Sequence, residues 1–82
     1  MFDQFKELAK LRELQKQIQN QRVEMEREGV KVVINGSMKI DHLVLNPDLD
    51  AEKQAQIIRD LVNEGIEKLQ KSIAQIMQQA QQ

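Results

Sequence analysis

Between Ile58 and Ala80 the apolar residues Ile58, Val62, Ile66, Leu69, Ile73, Ile76 and Ala80 recur three or four positions apart. That period belongs to an amphipathic helix, and over the last three turns it approaches a heptad seam that lies against a second helix. Asp50 is placed to cap this helix, and Glu52 sits at its positive end, so it is expected over about residues 50–80. Near the other end of the chain Phe5, Leu8, Leu11, Leu14 and Ile18 repeat the pattern, with Lys, Glu, Arg and Gln between them. A first helix follows over about residues 3–21, with Asp3 as its candidate cap.

Between the helices the period shortens. Gly29-Val30-Lys31-Val32-Val33-Ile34-Asn35-Gly36 reads as a β-branched strand ended by an Asn-Gly turn, with Val30, Val32 and Ile34 on one face. Met38 to Leu45 reads as its antiparallel partner, with Leu43 and Leu45 on one face and Ile40, His42 and Val44 on the other. Val23-Glu24-Met25-Glu26 also alternates, and is either a third, edge strand turning at Glu28-Gly29 or the end of the first helix. Strands therefore fall within about residues 23–46, and Asn46-Pro47 closes the sheet because proline cannot donate to a ladder. The fold class is α+β: long N-terminal helix, short antiparallel two- or three-stranded sheet, long C-terminal helix, in one domain over residues 1–82.

Eighty-two residues bury only about 60% of the surface the unfolded chain exposes. Disulfides and metals reinforce many small folds, but cysteine is absent and His42 is the only histidine. Self-association is the remaining route. A two- or three-stranded sheet cannot cover both helix stripes, so a homodimer is expected, with Leu11, Leu14, Ile18, Val32, Ile34, Leu43, Leu45, Val62, Ile66, Leu69 and Ile73 as core or dimer contacts.

No run approaches the 18 apolar residues of a membrane span, and the N-terminus lacks a basic segment followed by an apolar core. A cytoplasmic protein is expected, with no membrane partner. Twelve basic residues oppose thirteen acidic ones for a formal charge of −1, so any attraction to nucleic acid must come from local patches. Thirteen glutamines, two phenylalanines and neither Trp nor Tyr leave few platforms for base stacking.

No nucleophile–base set, phosphate loop or zinc spacing is present, so no catalytic residue, metal, cofactor or small-molecule substrate is expected. His42, a lone strand histidine beside Asp41, reads as structural or solvated. Glu24, Glu26 and Glu28 read as a charged edge that resists edge-to-edge pairing. The candidate DNA-contacting residues are Lys6, Lys10, Arg12, Lys16, Arg22, Lys68 and Lys71. Lys6 and Lys10 lie one turn apart, as do Arg12 and Lys16 on a neighbouring face. They read either as phosphate contacts repeated by dimer symmetry or as ordinary helix surface paired with Asp3, Glu7 and Glu13. Gly65 inside the second helix marks either a close approach or a tolerated weak point.

The Met-Phe start, the Gln- and Leu-rich first helix, "GVKVVING", "LVLNPDL" and "IIRDLV" together resemble the YbaB/EbfC family of bacterial nucleoid-associated proteins, over nearly the whole chain. The resemblance implies an intertwined, tweezer-like homodimer in which sheets pair at the centre and long helices project as arms. It also implies a nucleoid-associated location and binding of double-stranded DNA with little sequence preference. The chain departs from the family pattern in the short, charged Met25–Gly29 segment, at Asn63-Glu64-Gly65, and in ending Gln78–Gln82. The competing class is a protein-interaction adaptor built on coiled-coil-like helices.

Overall fold

The computed structural model describes residues 2–80, in the order α1 (Phe2–Gln19), β1 (Arg22–Arg27), β2 (Val30–Asn35), β3 (Ile40–Val44) and α2 (Ala51–Ala80). The strands form one antiparallel sheet in the order β1-β2-β3, so residues 22–27 are a true third strand. The first helix is shorter than its sequence pattern suggests and begins at Phe2, which puts Asp3 inside the first turn rather than at the cap.

Each turn has a local cause. Between β1 and β2, Glu28 and Gly29 both take positive φ, 51° and 83°, as a two-residue primed turn requires. After β2 the left-handed residue is Met38 (φ 62°) rather than Gly36, so the Asn-Gly pair is not the primed turn it resembles. The Asn35 side chain organises the reversal, its Oδ1 accepting from the amides of Ser37 and Lys39 at 2.8 and 3.2 Å. Asp50 caps α2 as expected, its Oδ1 accepting from the Lys53 amide at 2.7 Å.

Opposed residues in an antiparallel pair share a sheet face. Val23, Met25 and Arg27 lie opposite Ile34, Val32 and Val30, and all point toward α2. On β3 the register slips by one residue between Val33 and Ile34, which sets Leu43 opposite Val32 but Ile40 opposite Ile34. Ile40 therefore joins the Ile34 side instead of the His42 and Val44 side, a correction that follows from the bulge.

The core is formed by Met25, Val30, Val32 and Ile34 of the sheet with Ile57, Leu61 and Leu69 of α2. Burial of each such side chain is worth about 1.5–3 kcal/mol. Of the residues assigned to the core or dimer contact from sequence, Val32, Ile34 and Leu69 are buried. Leu14, Ile18, Val62, Ile66 and Ile73 are half-buried, and Leu11, Leu43 and Leu45 are exposed in the single chain. The row of α2 that faces the sheet is Ile57, Leu61, Gly65 and Leu69, so the Ile58–Val62–Ile66 seam is its flank. Gly65 marks a close approach: a Cβ there would lie 2.8 Å from Ile34 Cδ1.

Helix α2 packs chiefly on β1 and β2, and its distal half runs beside α1. The Ser72 hydroxyl donates to Gln21 Oε1 at 2.6 Å, tying the base of α1 to the middle of α2. The molecule measures 61 × 18 × 13 Å with a radius of gyration of 17.0 Å, against about 12 Å for a compact domain of this length. A head of sheet plus proximal α2 carries a two-helix arm.

Candidate nucleic-acid interface

The four cations of α1 are all exposed, and Lys6 to Lys16 span about 15 Å at the α-helical rise. Their neighbours in sequence include three carboxylates placed three residues before a lysine: Asp3–Lys6, Glu7–Lys10 and Glu13–Lys16. None of these closes into an ion pair within 4 Å, and Arg12 has no carboxylate three or four positions away. The paired-surface reading of α1 is thus not what the side chains adopt.

The rest of the chain behaves differently. Arg27 meets Glu64 at 3.2 Å across the β1–α2 contact, Lys53 meets Glu28 at 3.2 Å, and Lys31 pairs with Glu24 on the open sheet face. Arg59 pairs with Asp60 at 3.2 Å, Lys68 with Glu64 at 3.8 Å, and Arg22 with Asp41 at 3.6 Å. The Glu24 hydrogen bond and charge raise the pKa of Lys31 above its ordinary value. Among the described residues, the cations outside α1 that lack an ion-pair partner are Lys39 and Lys71.

This partition sorts the sequence candidates. Lys6, Lys10, Arg12 and Lys16 stand together on the arm, and Lys71 lies at its base, next to the Ser72 that meets Gln21. Arg22 and Lys68 belong to the head, where each already has a carboxylate. Lys39, on the β2–β3 turn, lies in neither helix, and a lone cation in a turn carries no sequence pattern.

Charge follows the same division. Residues 2–21 with 69–80, the arm, hold five cations and three carboxylates, whereas residues 22–68 hold seven and ten. A chain of formal charge −1 thus presents a positive arm and an acidic head.

The arm also exposes apolar surface. Phe5 is 72% exposed and Leu11 61%, and Leu8 and Met77 are exposed beside them. On the head, β3 leaves Ile40, Leu43, Val44 and Leu45 exposed along an unpaired sheet edge. Ile58, Val62 and Ile66 of α2 are half-buried against the core. An open groove between α1 and the end of α2 is lined by Glu7, Lys10, Leu11, Leu14 and Ala80.

Among the described residues no group of His, Cys, Asp or Glu is arranged to hold a metal ion, and no helix is long and apolar enough to cross a membrane. His42 lies exposed on the sheet face turned away from α2.

A family model described as the YbaB/EbfC DNA-binding family matches residues 1–82, the whole chain. No curated protein and no solved structure matches it.

Proposed function

The chain belongs to the YbaB/EbfC DNA-binding family, and from that premise we propose that it binds duplex DNA through the cationic arm, as a homodimer, with little sequence preference. It is a binding protein and not an enzyme, and its place is the cytoplasm, on the nucleoid, where it contributes to chromosome organisation or gene expression. The observation that carries the reading is the partition of cations: among the described residues those of α1 have no ion pair, while most cations of the head are paired in place. A lysine or arginine without a carboxylate partner breaks no ion pair when it meets a phosphate and releases a condensed counterion.

Low specificity follows from what the arm carries. Arg12 is the only arginine on α1, and the remaining cations of the arm are lysines, which act as point charges rather than bidentate forks. Phosphate contacts position a protein on a duplex without reading its sequence.

The homodimer is supported by the exposed apolar surface of β3 on the head. The exposed β3 edge and its Leu43–Leu45 flank would be covered by the same surface of a second copy, as twofold symmetry requires. Dimerisation also doubles the cation set, and a few contacts per chain then suffice. Phe5, Leu8 and Leu11, exposed on the arm itself, favour the second reading, an adaptor that binds another protein. Gel shifts with unrelated duplexes at two salt concentrations separate the two: binding that weakens steeply with salt supports DNA, and no binding at about 50 mM salt leaves the adaptor.

A further inference from the structure

Lys39 stands on a turn that is unusually well determined for an exposed loop. The Asn35 side chain accepts from the Ser37 and Lys39 amides, the Asn35 amide donates to the Lys39 carbonyl at 2.9 Å, and the Met38 amide donates to the Asn35 carbonyl at 2.9 Å. Asn35 Nδ2 in turn donates to Asp41 Oδ1 at 2.7 Å. Every residue from 35 to 39 except Gly36 is thereby tied by its backbone or side chain.

The turn is also docked on the arm. A Cβ at Gly36 would fall 1.6 Å from the Ile18 carbonyl oxygen, so the backbone of the turn touches the last turn of α1. Lys39 is three Cα steps from that contact, within about 11 Å. It is exposed and has no ion-pair partner among the described residues. The carboxylate two positions on, Asp41, is engaged by Asn35 and faces Arg22 at 3.6 Å, which offsets its repulsion of a phosphate.

We infer that the β2–β3 turn is a second phosphate-binding element, with Lys39 extending the cation track of α1 from the arm onto the head. This deepens the DNA-binding reading and rests on it. A duplex laid along α1 would otherwise run toward an acidic head; the docked turn places the Lys39 backbone close to the end of α1, where the track would end. Because the turn is held by its own hydrogen bonds, ordering it on binding costs little conformational entropy.

The test compares the wild-type chain with K39Q and with K53Q, which removes a head lysine already paired to Glu28. Affinity for an unrelated duplex is measured between 50 and 200 mM salt. Each lost phosphate contact lowers the slope of log affinity against log salt by about 0.9, so K39Q should shrink the affinity loss across that range about threefold per contact removed. K53Q should follow the wild type. Circular dichroism confirms that both variants fold. If the wild type binds and charge reversal on α1 abolishes binding, but K39Q keeps the wild-type slope, Lys39 is not a contact and only this inference is overturned. If the wild type binds no duplex at 50 mM salt, the DNA reading falls and takes this inference with it.

Discussion

Gly36 and Ile18 share a contact that no other residue type at position 36 would permit, since any Cβ there would overlap the Ile18 carbonyl. The clash is with helix backbone and not with a flexible side-chain tip. G36A should therefore force the β2–β3 turn off α1 and destabilise the fold by about 1–3 kcal/mol, the range found for overpacking. Gly65 provides the contrast. Its Cβ would press on the Cδ1 tip of Ile34 at 2.8 Å and lie at ordinary contact distance from Val23, meeting side chains and no backbone, and alanine gains up to about 1 kcal/mol of helix propensity. G65A should stay within about 1 kcal/mol of the wild type in urea denaturation; equal losses in the two variants would show that the Gly36 contact is not what holds the turn.

Leu69 is fully buried and its neighbour Gln70 is exposed. L69E places a charge with no partner in the core at a cost of several kcal/mol, and loss of cooperative melting or of much helicity is expected. Q70E should change stability by no more than about 0.5 kcal/mol. Matching melting curves would mean that this side of α2 does not face the sheet in solution.

The arm cations carry the test of DNA contact. K6E, K10E and K16E together should abolish duplex binding while leaving circular dichroism and particle mass unchanged, because all three side chains are exposed and have no ion pair among the described residues. A variant that folds and still binds like the wild type would move the interface elsewhere.

The uncovered β3 edge sets the expected mass. Light scattering after size exclusion at micromolar concentration should give about twice the 9.6 kDa chain mass, and L43E or L45E, on exposed positions of that face, should shift it toward one chain. A cooperative monomer in the wild type would remove the dimer from the proposal.

The Lys31–Glu24 pair predicts a small alkaline effect. The pKa of Lys31 is raised in the folded chain, so the pair's contribution is fully present below the ordinary lysine value of 10.5 and is lost as pH rises through the folded value. K31Q should lower stability slightly at neutral pH, the effect being small because both side chains are solvated, and should meet the wild-type curve as pH rises through the folded Lys31 value.

What the sequence determined alone is what short-range physics controls. The periods of 3.6 and 2 located both helices and the β2 and β3 strands, and the Asp50 cap fixed the start of α2 to within a residue. The uncovered stripes followed from length: too few residues to enclose two long helices. The tertiary structure decided which stripe faces what. Ile57 and Leu61 face the sheet, with Ile58, Val62 and Ile66 turned to its flank, because a wide apolar helix face can dock in more than one rotation and only the partner surface selects one. It also decided that the α1 lysines stay unpaired while head cations find carboxylates from other elements, such as Arg27 with Glu64 thirty-seven positions away. Pairings between distant segments leave no period to read, and the need for glycine at 36 arises only where the turn meets the end of α1.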